Sequence, residues 1–187
     1  MANDGVEQVE LTLPWQAVQA AGFRPVLLAP SPAQVQAYHH LDRADSFRVD
    51  LTTEQAHAGD YLAFVLPGAV ANPDILRRDQ ATHRLLQEAD AGGALIAAIC
   101  HGPWTLIDSG LVAGRTLAAY PSLATDLSNA RATWTAERTH TQNNWVTAQS
   151  DADVDAFVDL LLQALSEAAY EPLSLDPLMI LGGERRV

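Results

Sequence analysis

Cys100 is the only cysteine in the chain, and His101 follows it directly. A thiol beside an imidazole is a pairing that can generate a thiolate, the nucleophilic form of cysteine. The surrounding stretch GGALIAAICHGPWTLIDSG, residues 92–110, places the pair at a boundary. A small, apolar, strand-like run ends at Cys100, and Pro103 opens a helix-like pattern where a missing N–H does little harm. A strand-to-helix elbow thrusts its residue out of the sheet and sets it at a helix N-terminus, whose partial positive charge favours a thiolate. Gly102 allows a tight turn or a close substrate. The competing reading is an inert buried thiol, common among free cysteines; the elbow and the imidazole favour reactivity. Adjacent helical residues point about 100° apart. His101 is therefore expected to need an orienting carboxylate and a bend before it can serve Cys100 as a base.

The elements that must hold this elbow alternate along the chain. VELTLPWQAVQAAG reads as a helix ending near Gly22 despite Pro14. RPVLLAP and GDYLAFVLPGA read as buried strands, the second closing in a Pro-Gly turn. DQATHRLLQEADAGG is a helix with glycines past its end, ALIAAIC a third strand, and GPWTLIDSG a short helix. AGRTLAAYPS and NNWVTAQ read as later strands, and ADVDAFVDLLLQALSEAAY as a long amphipathic helix. This alternation predicts an α/β fold with a mostly parallel sheet. Ligands of such sheets collect at the carboxyl ends of strands, where Cys100 falls. One domain over residues 1–170 is expected, with a tail over residues 171–187.

The front of the chain departs from this pattern. NDGVEQ reads as a loop leading straight into a helix, where an open α/β sheet should supply a strand. A missing strand leaves two sheet edges with unsatisfied backbone groups. Met1 is accordingly expected to be an internal methionine with the true start upstream; a native mass equal to that of the 187 residues would sink this.

The totals narrow the function classes. Of 187 residues 48% are hydrophobic, enough for a folded core, and the formal net charge is −12. Such an acidic surface repels phosphate backbones, so nucleic acid is not an expected partner. No apolar run reaches the roughly 20 residues of a membrane helix. The N-terminus lacks a basic region followed by an apolar one, so the cytoplasm is the expected location. One cysteine fits a reducing compartment and excludes an intrachain disulfide. The adjacent His39 and His40 read as a loop rather than a metal site.

AAICHGPWTLIDSGLVAGRTLAAYPSLATDLSNA resembles the nucleophile elbow and following segment of the DJ/PfpI superfamily, in its PfpI-type branch. YLAFVLPGAVANPDILR resembles that branch's Pro-Gly-Gly turn and acidic segment, NDGVEQVELT its first loop and helix, and HLDRADSFRVD its second-strand region. The resemblance runs from Asn3 to Ala164. It implies a flavodoxin-like three-layer sandwich, similar to class I glutamine amidotransferases but without the usual first strand. It implies a homodimer or higher oligomer, and neither a cofactor nor a metal. It implies Cys100 as nucleophile, Glu10 as the carboxyl meeting its sulfur, and Asp74 in the place of a carboxylate reaching His101 from a neighbouring subunit. Backbone amides at Gly68, Ala69 and His101 would form an oxyanion site, with Tyr120 at the pocket wall. The residues alone suggest less: Glu10 reads as a solvated helix position, Asp74 as an N-cap, and Arg77 and Arg78 as a solvated face.

Two departures stand out. Ala69 replaces the second glycine of the turn and would be strained at positive φ. Gln149 falls where the branch carries a Ser-Arg and a proline, and supplies no charge. The activity implied is cofactor-free chemistry on reactive carbonyls or glycated groups, of deglycase or glyoxalase type, with intracellular protease or amidase activity second. The other class is a non-enzymatic redox sensor or holdase using the same thiol. A glutamine amidotransferase is set aside, because HTQ at residues 140–142 is not the His-x-Glu that chemistry needs.

Overall fold

A computed structural model describes residues 1–31 and 33–170. Its centre is a four-stranded sheet in the order β10-β11-β7-β6. β6 (Ala63–Leu66), β7 (Leu95–Ile99) and β11 (Trp145–Ala148) run parallel, and β10 (Thr139–Gln142) runs antiparallel at the edge. β7 is buried along its whole length, which is why LIAAI reads as a continuous apolar run rather than an alternation.

The two faces of β7 make the layers. Ile96 and Ala98 pack with Leu85 and Leu86 of α3 (Gln80–Ala91) and Leu106 of α4 (Pro103–Asp108). Leu95, Ala97 and Ile99 pack with Val18 of α1 (Gln8–Ala20) and Phe157, Leu161 and Leu165 of α6 (Val154–Tyr170). Helices thus cover both faces of a mostly parallel sheet, the flavodoxin-like sandwich expected. α3 starts where Asp79 accepts the Thr82 N–H, a side-chain cap of the usual kind. Among the described residues no helix is long and apolar enough to cross a membrane. The expected tail lies outside them.

The first residues correct one expectation. NDGVEQ is not all loop: β1 (Val6–Glu7) feeds α1 directly. It pairs in parallel with β3 (Gln34–His39), outside the central sheet. β3 in turn forms an antiparallel hairpin with β4 (Asp42–Arg48). Among the described residues β2 (Leu28–Ala29) pairs only with β5 (Leu51–Thr52), leaving a gap between β2 and β6. Met1 and Ala2 span that gap: the Met1 amine donates to Val65 O at 2.7 Å and Ala2 N to Leu28 O at 2.9 Å. Burial pulls the amine down to about 5. Beside it is a cavity of about 60 Å³ lined by residues that include Val26, Leu28, Tyr61 and Phe64.

The remaining elements are short. α2 (Ala71–Leu76) follows β6. β8 (Thr116–Ala118), α5 (Ala124–Asn129) and β9 (Thr133–Thr135) follow α4. β8 and β9 form a separate parallel pair.

Candidate functional site

Cys100 sits just past β7 with φ of 60°. That is the left-handed region, costly for a residue with a Cβ, and such strain persists only where surrounding structure enforces it. Here the enforcement is visible. Cys100 N donates to Ala148 O at 3.0 Å, Tyr120 N donates to Cys100 O at 2.9 Å, and Gly102 N closes the turn onto Ile99 O at 2.9 Å. A Cβ on Gly102 would lie 2.3 Å from Leu66 O, so only glycine lets the elbow approach β6.

The left-handed turn supplies the bend that His101 needs to reach the sulfur. Cys100 is not helical, so the 100° argument does not apply, and His101 Nδ1 lies 3.2 Å from Cys100 Sγ. The Tyr120 ring stacks on the imidazole at 4.6 Å, and the Trp104 ring meets it edge-on at 5.2 Å. Ser122 Oγ is 3.3 Å from Nε2. Burial lowers the His101 pKa, favouring the neutral ring.

Glu10 occupies the first turn of α1 and is 1% exposed, so the solvated-helix reading is wrong. Its Oε2 accepts the Gly68 N–H at 2.5 Å, and its carboxyl is hydrogen-bonded to the Cys100 thiol. Burial pushes Glu10 up to about 7, against the pull of those two hydrogen bonds. Burial, and then the nearby Glu10 charge, push the Cys100 thiol up, while N–H groups of Ala69 and His101 pull the other way. The two groups thus compete for one proton, and protonating Glu10 removes the charge that opposes the thiolate.

The turn after β6 carries the amides. Ala69 has φ of 59°, the strained conformation expected. The implied oxyanion site needs a correction: the Gly68 amide is committed to Glu10, and only Ala69 and His101 offer theirs to Cys100. A Cβ on Gly68 would fall 2.7 Å from the Cys100 Cβ and 2.9 Å from Glu10 Oε2. Asn72, fully buried on α2, donates to Pro67 O and Gly68 O at 2.8 and 3.1 Å and fixes this turn.

Other expected residues are placed differently. Asp74 is not an N-cap: α2 starts at Ala71 with Val70 before it, and Asp74 is exposed within the helix. Among the described residues no carboxylate is hydrogen-bonded to His101. Arg77 is not simply solvated, since its guanidinium pairs with Asp108 and lies 5.3 Å over Trp104. Gln149 reaches Thr135 O. His39 and His40 end β3 and turn the hairpin beside Glu7, which accepts the His40 N–H at 2.9 Å. Among the described residues no cluster of metal-ligating side chains occurs.

Glu10, Cys100, His101, Ala69 and Tyr120 line an open cleft of about 840 Å³, together with His40, Arg43 and others. Ser122, Trp104 and Asn72 were not legible in the sequence. Each acts across a turn or between elements, and none belongs to a spacing that marks chemistry.

The arrangement has relatives. Deglycase PH1704 of Pyrococcus horikoshii is 29% identical over 152 residues, 81% of this chain and 89% of that protein. The "Putative cysteine protease YraA" of Bacillus subtilis is 29% identical, over 84% of this chain and 90% of its own. Among solved structures, a two-domain protein of Anabaena variabilis with DJ-1/ThiJ/PfpI-like and ferritin-like domains superposes with a TM-score of 0.82 at 31% identity. That likeness spans 88% of this chain and 48% of the larger protein. Drosophila melanogaster DJ-1beta shares the fold, with a TM-score of 0.76 at 23% identity over 89% of this chain and 91% of its own. The DJ-1/PfpI family model matches residues 1–164, and the chain belongs to the DJ-1/PfpI family.

Proposed function

We propose that the protein is a cysteine-dependent enzyme that clears reactive carbonyls, acting on α-oxoaldehydes or on the glycated groups they form. The carrying observation is the buried Glu10 carboxyl hydrogen-bonded to the Cys100 thiol at the floor of an open cleft. The deglycase relatives support the reading.

In this scheme the sulfur passes its proton to Glu10 and adds to the aldehyde carbon of methylglyoxal. A C–S bond forms, the carbonyl electron pair moves to oxygen, and Glu10 returns the proton there to give a hemithioacetal. Glu10 then takes the proton from that carbon and delivers it to the neighbouring carbon. The hydroxyl proton moves to the neighbouring oxygen and leaves a thioester. Water cleaves the thioester to lactate and the free thiol. No oxidant is consumed, because the step is an internal redox shift. With a glycated amine, the sulfur displaces nitrogen from the hemiaminal carbon; the C–N bond breaks and the amine departs with the proton from Glu10. The amides of Ala69 and His101 favour the thiolate that starts either route. A free thiol is required throughout, which suits a reducing compartment such as the cytoplasm.

A peptidase is the second reading, favoured by the 3.2 Å contact of His101 with Cys100 and by the cysteine-protease relative. We also propose that a second copy covers the cleft mouth. Leu41, Val70, Ile75 and Tyr120 are exposed there, Leu41 at 94%, and exposed apolar groups so gathered fit an interface. Asp74, on the same helix as Ile75, would then supply a carboxylate to a partner's His101 in its imidazolium form, where both ring nitrogens donate.

Purified protein and Cys100→Ser are given methylglyoxal, and separately the preformed methylglyoxal adduct of N-acetyl-lysine. Lactate and released amine are expected from wild type only. A folded wild type that yields neither product sinks the proposal; hydrolysis of a peptide library instead would favour the peptidase.

A further inference from the structure

We propose that Ser122 is the in-chain partner that sets the tautomer of His101, completing the Cys100–His101 pair within one chain. The observation is a continuous line of contacts: Ser122 Oγ at 3.3 Å from Nε2, and Nδ1 of the same ring at 3.2 Å from Cys100 Sγ. A neutral imidazole carries one N–H, so whichever nitrogen accepts leaves the other as donor. Ser122 donates its O–H to Nε2, the proton of the ring then resides on Nδ1, and Nδ1–H donates to the sulfur as it ionises.

The frame that carries Ser122 is tied to the nucleophile itself. Tyr120 N donates to Cys100 O at 2.9 Å, and Leu123 N closes the turn onto Tyr120 O at 2.9 Å. Leu123 is fully buried and anchors the far side. The hydroxyl is thus fixed relative to the sulfur through four residues of ordered backbone. Tyr120 and Trp104 hold the ring at a stacked and an edge-on contact, leaving its two nitrogens on the line between Ser122 and Cys100. Ser122 is a positioning residue, since it acts through His101 and does not touch the sulfur. Ser122 itself is exposed, so its replacement leaves the core intact.

The inference rests on Cys100 as the reactive thiol of the proposed function, and its test does not use turnover. Alkylation of Cys100 by iodoacetamide at pH 7 is timed in wild type, Ser122→Ala and Ser122→Thr. In parallel, the His101 ring nitrogens are read by NMR in ¹⁵N-histidine-labelled protein, assigned by loss of the signal in His101→Gln. Wild type is expected to show the Nδ1–H form. Ser122→Ala is expected to mix the tautomers and slow alkylation between about twofold and tenfold, the worth of one neutral hydrogen bond. Ser122→Thr, which keeps the hydroxyl, is expected to restore both. An Nε2–H form in wild type overturns the inference, as does an unchanged tautomer in Ser122→Ala, whatever the alkylation rate. Absence of turnover on carbonyls would sink the proposed reaction and leave these readouts untouched.

Discussion

At the residue scale, the site is a contest over one proton between a buried carboxyl and a buried thiol. Burial raises Glu10 from 4.5 to about 7. Between those pH values the folded chain holds a proton that the unfolded chain has lost, so this group's contribution to stability falls as pH rises through that window. Glu10→Gln removes the dependence. Relative to wild type, the variant should gain about 3 kcal/mol between pH 4.5 and pH 7.5, read by urea unfolding of both proteins at each pH. The buried Met1 amine, lowered to about 5, has the opposite slope, and it cancels because both proteins carry it. A constant difference would show that Glu10 titrates normally. Ala69 offers a second test. Its φ of 59° suits glycine. Ala69→Gly should stabilise by about 1 kcal/mol, raise the melting temperature by about 2–4 °C and keep the amide that Cys100 uses. A lower melting temperature would mean that the turn stores no strain.

At the element scale, the elbow works because β6 and the β7–α4 junction touch backbone to backbone. Gly102→Ala puts a Cβ 2.3 Å from Leu66 O, where no side chain can give way. A loss of about 3 kcal/mol is expected, the upper end for overpacking, with slower alkylation of Cys100; an unperturbed melting curve would show that the elbow relaxes freely. Asp79→Ala, which uncaps α3 and also abandons Thr53, should lose about 1–2 kcal/mol without altering Cys100 reactivity. The helices around the elbow were legible because each buries one face, and LIAAIC was legible as a run buried on both. The β3–β4 hairpin, α5, β9 and β10 were not. DRADSFR is mostly polar, with Phe47 its one large apolar side chain; it forms β4 beside β3, and pairing of that kind leaves no periodic mark.

At the scale of the whole molecule, the sandwich gathers the catalytic candidates other than Asp74 at the carboxyl end of the sheet, from four separate parts of the chain. Glu10 arrives from α1, Gly68 and Ala69 from the turn after β6, Cys100 and His101 from the elbow, and Tyr120 and Ser122 from the turn after β8. The large apolar side chains exposed there are expected to be covered by a second copy. Sedimentation velocity should find a dimer or larger species, and Ile75→Asp should shift it towards monomer with the melting curve little changed. A wild type that sediments as a monomer at tens of micromolar would remove the subunit-borne role of Asp74. Ser122 would then be the partner of His101 that remains.

What the sequence determined by itself was the alternation of strands and helices, the elbow at Cys100, and the need for small residues around it. These are local matters of periodicity, turn chemistry and steric room. Glu10, Asp74 and His101 could not be judged that way. An acidic residue on an amphipathic helix has the same letters whether water or a thiol surrounds it. Tertiary structure alone buried Glu10 against Gly68 and left Asp74 in solvent. It also turned Cys100 into the left-handed region so that His101 could reach its sulfur. Desolvation and distance decide a proton's position, and both are properties of the packed chain rather than of any segment.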